Sequence, residues 1–156
     1  MLDVAAGLPL VEYPSGTTVI EQGASEVRLL VLVRGTVTVE RDGVTVARIS
    51  EPGSVFGEMA LALRRPATAT VRCESDAQFR VAQEPAAFLA HNPGVALELL
   101  RISAARVDAL TSYLVDVKRQ YADQTGHLGM LDTVLGALVQ QQPGRARPGS
   151  VRDPEV

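Results

Sequence analysis

Short runs of Val, Ile, Leu and Thr, alternating with polar positions and broken by Gly, Pro and Asp, fill the chain from residue 10 to residue 82. A period of two with turn residues between the runs is the pattern of half-buried strands. It predicts strands over Leu10–Tyr13, Thr17–Glu21, Val27–Arg34, Thr36–Arg41, Val44–Ile49, Thr68–Cys73 and Ala77–Ala82. Asp42-Gly43 separates two of them and suits a tight hairpin, whose two central positions need positive φ. Many short strands at even spacing suggest an antiparallel roll or sandwich. One segment interrupts the alternation: Gly57–Leu63, GEMALAL, is rich in helix formers and follows a turn at Pro52-Gly53.

After Ala82 the period changes. Pro85–His91 predicts one or two helical turns, with Pro85 in the first, and Asn92-Pro93 breaks them. A long helical pattern starts at Gly94. Leu100, Val107, Leu114, Tyr121, Leu128 and Leu135 recur at heptad spacing, and Ser103, Leu110, Val117, Gln124, Leu131 and Leu138 recur at the complementary position. Only Ser103 and Gln124 among them are polar, which is a coiled-coil seam. A helix packed on its own roll shows a broader apolar face, so the narrow 100–121 seam favours a homodimer. Gly126 and Gly129 interrupt the pattern, and Thr125 suits the cap of a second helix. The expected organisation is a roll with its embedded helix over 1–93, a long helix over 94–124, a short helix over 125–140 and a disordered tail over 141–156.

Composition narrows the function classes. The chain has 156 residues, 46% of them hydrophobic, enough for one core. The net charge of −3, with scattered basic residues, argues against a nucleic-acid stripe. Cys73 is alone, so no disulfide forms within the chain. His91 and His127 lack metal-ligand spacing and read as helix-surface residues, and no metal or cofactor is expected. The first residues have no basic n-region and carry Asp3 and Glu12. The uncharged stretch Thr133–Gly144 is too short for a bilayer. The expectation is a soluble, cytoplasmic protein with no membrane contact.

The break in the strand pattern is where chemistry gathers. Gly57 permits close backbone approach, amides at a helix start suit an anion, and the Glu58 carboxylate can accept hydrogen bonds from a sugar hydroxyl. Small Ala60 leaves room beside them. Glu58 equally suits the first turn of any helix by complementing its dipole. These six residues, Phe56 to Leu61, leave both readings open.

The longer string FGEMALALRRPATATV resembles the phosphate-binding cassette of the cyclic-nucleotide-binding domain family. That pattern runs Phe-Gly-Glu-Leu-Ala-Leu, a variable stretch, then Pro-Arg-Ser/Thr/Ala-Ala-Thr-Val. Gly16, Gly23 and Gly35 fit upstream, and Asn92-Pro93 before a long helix is similar to the catabolite-activator branch. The resemblance covers roughly residues 10–120. It implies an α+β fold, an antiparallel jelly-roll-like β-roll with an embedded cassette helix and a long C-terminal helix. It implies a cyclic nucleotide, cAMP or cGMP, held by Phe56, Gly57, Glu58, Met59, Ala60, Ala67, Thr68 and Ala69, with Thr111 and its neighbour Ser112 near the base. Glu58 would hold the ribose 2′-hydroxyl. The backbone of Gly57, Met59 and Ala60 would line the sugar-phosphate, and Thr68 would sit beside the phosphate or a guanine.

The chain departs from the pattern at one place. The family's phosphate-pairing arginine should follow Pro66, and Ala67 stands there. Such a charge-assisted contact is worth roughly 1.5–3 kcal/mol. Arg64 and Arg65 lie just upstream and read as solvated loop residues, with takeover of the phosphate as the alternative. Residues Gln120–Gly144 carry no Lys or Arg, so no DNA-binding helix is expected. No nucleophile–base pair is recognisable, so no enzyme is expected. The resulting reading is a stand-alone regulatory sensor of cyclic nucleotide that acts through an unknown effector protein. The competing one is a degenerate domain that has lost its ligand through Ala67 and serves as a dimerising or docking element.

Overall fold

A computed structural model describes residues 1–120 and 133–138. In chain order it contains α1 (Leu2–Ala5), β1 (Leu10–Tyr13), β2 (Thr18–Ile20), β3 (Leu29–Arg34), β4 (Val37–Arg41) and β5 (Val44–Ile49). There follow β6 (Val55–Phe56), α2 (Glu58–Leu63), β7 (Thr70–Cys73), β8 (Ala77–Ala82), α3 (Pro85–His91) and α4 (Pro93–Gln120). Residues 133–138 are helical, within the second helix expected over 125–140. The rest of that segment, Tyr121, Gln124 and the 141–156 tail lie outside the described residues.

The strands form two four-stranded sheets, ordered β1-β8-β3-β6 and β2-β7-β4-β5, with every pairing antiparallel. This is the expected α+β roll. Asp42 and Gly43 close the β4–β5 hairpin with φ of 52° and 77°, the two positive values that the sequence demanded there.

In the first sheet β3 is buried on both faces, which explains why it reads as an unbroken apolar run. Leu30 and Leu32 point between the sheets with Val19, Val37, Val71, Phe79 and Val81. Leu29 and Val31 point to the other face, where Ala5, Val55, Ala82, Val95 and Leu99 close a second cluster. Phe79 is wholly buried and takes Tyr13 and Phe56 edge-to-face at centroid distances of 5.9 and 6.1 Å.

Two short elements escaped the sequence pattern. α1 is a single turn that packs Ala5 into the outer cluster, and β6 is two residues long, too short to show a period. Thr17, Glu21, Val27, Arg28, Thr36, Thr68 and Ala69 fall outside the strands expected to include them. The chain divides into two compact units, one ending at Leu99 and one beginning at Leu100. In the second, Leu100, Val107, Leu110 and Tyr113 are all exposed. Among the described residues no helix is long and apolar enough to cross a membrane.

Candidate functional site

The site is built where β6 turns into α2. Phe56 anchors the entry: it pairs with Leu30 across the sheet, is buried, and packs on Phe79. Gly57 follows as the N-cap of α2 with φ 92°. A Cβ on Gly57 would overlap the backbone carbonyl oxygen of Arg28. Glycine is therefore required here by conformation and by contact, and the close approach is to the protein's own backbone. Arg28 is in turn held by Nη2 donating to the Val19 carbonyl at 3.0 Å.

α2 places Glu58 half-buried in its first turn, Met59 outward and Ala60 inward. The helix stops at Arg64, whose φ of 51° is left-handed and whose N–H returns to the Ala60 and Leu61 carbonyls. The chain then runs through Pro66 to Ala67, which is buried. Ala67 is tied through its backbone to the turn after β2. Its carbonyl accepts from Gly23 N–H at 2.8 Å, and its N–H donates to the Ala24 carbonyl at 2.9 Å. One residue on, the Thr68 hydroxyl lies 3.9 Å from the Met59 sulfur, a weak contact that closes the cassette on itself. The neighbouring Gln22 accepts from Asp42 N–H at 2.9 Å and donates to the Asp42 carboxylate at 2.6 Å, while its own N–H donates to Thr70 Oγ1 at 3.0 Å. That turn is thereby linked to β7 and to the β4–β5 hairpin.

The cyclic nucleotide-binding domain family matches residues 10–87, half of the chain. The chain belongs to that family. Solved structures of the same fold include the catabolite activator protein of Thermus thermophilus, 24% identical with a TM-score of 0.63 over 74% of this chain and 57% of that one. A structure described under a cyclic-GMP-dependent signalling pathway that regulates bacterial phytopathogenesis is 23% identical, with a TM-score of 0.58 over 69% of this chain and 91% of that one. The N-terminal domain of a transcriptional regulator from Streptomyces coelicolor A3(2) is 26% identical, with a TM-score of 0.52 over 71% and 81%. The chain spans a little over half the length of the Thermus protein.

Within this cyclic nucleotide-binding domain, Phe56 to Ala60 lie where β6 turns into α2 and Ala67 to Ala69 lie just before β7, and the structure brings Met59 and Thr68 into contact. Thr111 lies in the second unit, on α4, where its hydroxyl donates to the Val107 carbonyl at 2.8 Å. Arg64 is exposed, as a solvated loop residue is, but Arg65 is not: it is half-buried and its Nε is out of water without a partner. Sequence reasoning missed the Gly23–Ala67 pairing and the Gln22 bridge. Both join residues distant in sequence through backbone or amide groups, which leave no mark in a hydrophobic pattern. His91 stands exposed in the last turn of α3, its Nδ1 2.7 Å from the Ala87 carbonyl, and His127 lies outside the described residues.

Proposed function

We propose that this chain is a regulatory binding module that takes a cyclic nucleotide, cAMP or cGMP, at the Phe56–Ala69 cassette and passes its occupancy to a partner protein. The observation that carries this is the closure of the cassette: Thr68 meets Met59, so the Glu58 turn and the Thr68 loop flank one place. Glu58 supplies an acceptor for a ribose hydroxyl and Thr68 a hydroxyl for phosphate or a guanine edge. Phe56, Gly57, Met59, Ala60, Ala67 and Ala69 shape the surface between them, and Thr111 would serve the base. The role is recognition rather than catalysis. A homodimer through the 100–121 seam and a cytoplasmic setting, in keeping with the single thiol, complete the reading.

Ala67 favours a second reading. With a methyl group where the family's guanidinium stands, affinity would fall by about ten- to a hundredfold. The domain would then serve as a dimerising or docking element. Calorimetric titration of the whole chain with cAMP and cGMP separates the two. Saturable binding of either supports the sensor. Absence of heat with both at millimolar concentration, alongside a folded dimer, supports the docking element.

A further inference from the structure

Gln22 joins two turns that start from opposite edges of one sheet. β2 and β5 are the outer strands of the order β2-β7-β4-β5, yet Gln22, in the turn after β2, meets Asp42 at the tip of the β4–β5 hairpin. The turn is of type II: Ala24 N–H donates to the Glu21 carbonyl at 3.0 Å, and Gly23 takes the positive φ, 86°, at the third position. Gln22 holds the second. With Arg41 opposite Val44, the Asp42 N–H at the hairpin tip takes no part in the ladder. Gln22 Oε1 accepts it at 2.9 Å, and Gln22 Nε2 returns to the Asp42 carboxylate at 2.6 Å. Both residues are exposed, where water would serve either group nearly as well. A reciprocal pair in such a place fixes geometry more than it adds stability.

What the pair fixes is the loop that leads into β7. Gln22 N–H donates to Thr70 Oγ1 at 3.0 Å, at the start of that strand. The next two residues, Gly23 and Ala24, make the reciprocal backbone pair with Ala67. A methyl side chain makes no hydrogen bond, so Ala67 is held to the turn by those two main-chain bonds. Thr68 follows directly and meets Met59. One line of contacts therefore runs from the hairpin tip through Gln22, Gly23 and Ala67 to the cassette helix.

We propose that Gln22 is a positioning residue of the cassette: its paired hydrogen bonds to Asp42 hold the Ala67–Thr68 loop in place, so that the β4–β5 hairpin sets the affinity for cyclic nucleotide. Neither Gln22 nor Asp42 is among the residues assigned to the ligand. The effect on affinity rests on the reading of the cassette as a nucleotide site, and the holding of the loop does not. By linkage, a nucleotide that favours the held loop strengthens the Gln22–Asp42 pair in return, and the hairpin tip registers occupancy.

The test exchanges the two functional groups. Gln22→Glu removes the Nε2 donor and sets two carboxylates face to face. Asp42→Asn keeps an acceptor for Gln22 and tolerates the left-handed φ of 52°. The double variant, Gln22→Glu with Asp42→Asn, rebuilds both bonds with donor and acceptor reversed. Arg34→Gln, which breaks the exposed 3.0 Å ion pair to Glu12 on the other sheet, is the control, and thermal melts check folding. Two readouts are taken on the whole chain: hydrogen exchange at the Gly23 and Ala67 amides without ligand, and calorimetric affinity for cAMP and cGMP. Leu32, whose N–H donates to the Ser54 carbonyl at 2.8 Å, reports global opening. In Gln22→Glu, exchange at Gly23 and Ala67 is expected to be about five- to tenfold faster and affinity lower by a similar factor. Asp42→Asn and Arg34→Gln are expected to stay near wild type, and the double variant to recover both readouts. Unchanged exchange in Gln22→Glu, no recovery in the double variant, or equal acceleration at Leu32 overturns the proposal. Faster exchange with unchanged affinity, in a chain that binds, overturns it too. If exchange follows the pair and the wild type binds no cyclic nucleotide, the sensor reading falls and Gln22 stands as the residue that positions the loop. If cyclic nucleotide binds and neither readout moves, the sensor reading stands and the role of Gln22 falls.

Discussion

Ala67 and Gly23 are joined through the backbone, with the Gly23 N–H donating to the Ala67 carbonyl at 2.8 Å. The Ala67 N–H completes the link by donating to the Ala24 carbonyl at 2.9 Å. The position is thus held by main-chain groups that any residue except proline would keep. What varies is only the side chain, which stops at a methyl group.

Restoring the family's arginine is the direct test. Ala67→Arg is expected to strengthen cyclic nucleotide binding by roughly tenfold or more, one charge-assisted contact regained. Because Ala67 is 8% exposed, fitting the longer chain is expected to cost about 1–3 kcal/mol of stability. Calorimetry reads the first effect and a denaturant titration the second. Wild-type affinity in a folded Ala67→Arg variant would show that the cassette does not present a phosphate to position 67.

The opposite wall of the cassette gives the complementary variants. Glu58→Ala is expected to weaken whatever cyclic nucleotide binding exists, because a ribose hydroxyl loses its acceptor. Thr68→Ala is expected to remove any preference for cGMP over cAMP. The readout is the ratio of the two dissociation constants before and after each change.

Gly57 is a stability position. Gly57→Ala must carry a Cβ against the Arg28 carbonyl oxygen at a φ of 92°. Left-handed strain alone costs about 1–3 kcal/mol, and the overlap adds to it. A loss of about 2 kcal/mol corresponds to a Tm lower by roughly 8–16 °C for a unit of this size. Gly43→Ala, which meets nothing within 4 Å at φ 77°, isolates the conformational part. An equal effect in the two variants would remove the Arg28 contact from the explanation.

Much of this was legible in the residues. Leu10–Tyr13, Val44–Ile49, Ala77–Ala82 and Pro85–His91 fall where the periods placed them. The Asp42-Gly43 hairpin and the helix after Gly57 were equally visible, because turn conformation and helix propensity are local. β3 was harder to interpret: its run LLVL shows no alternation, since clusters lie on both faces of its sheet. α1 and β6 were hidden because four and two residues cannot display a period. The burial of Arg65 was hidden for another reason. An arginine in an RRP loop looks solvated, yet its Nε is out of water.

Cys73 gives a pH prediction. It is 1% exposed, and burial, aided by the Asp76 carboxylate, pushes its thiol above the ordinary value. The unfolded thiol ionises near about 8.5. Below that pH both states hold the proton and the thiol adds no pH dependence. Above it the unfolded state loses the proton first, so stability falls as pH rises toward the folded value. Denaturant titrations across this range are expected to show a downward slope that Cys73→Ala reduces. Thiol reagents at neutral pH are expected to react on the order of a hundredfold more slowly than in urea, because the core must open first.

The last prediction concerns assembly. Leu100 is 63% exposed, Val107 48% and Leu110 47%, and all three lie on the heptad seam. They belong to the second unit, which begins at Leu100 and so has its own surface to cover. An exposed helix keeps its structure in water chiefly by burying such a stripe. A second copy presents the same stripe, and knobs-into-holes packing would bury each leucine for roughly 1.5–3 kcal/mol. The whole chain is therefore expected to sediment as a dimer at micromolar concentration. Leu110→Glu combined with Leu114→Glu is expected to give a monomer, since carboxylates would face each other across the seam. Both positions lie outside the unit that ends at Leu99, so the β signal in circular dichroism should persist in the double variant. A wild-type protein that sediments as a monomer, or a double variant that stays dimeric, would remove the seam from the assembly.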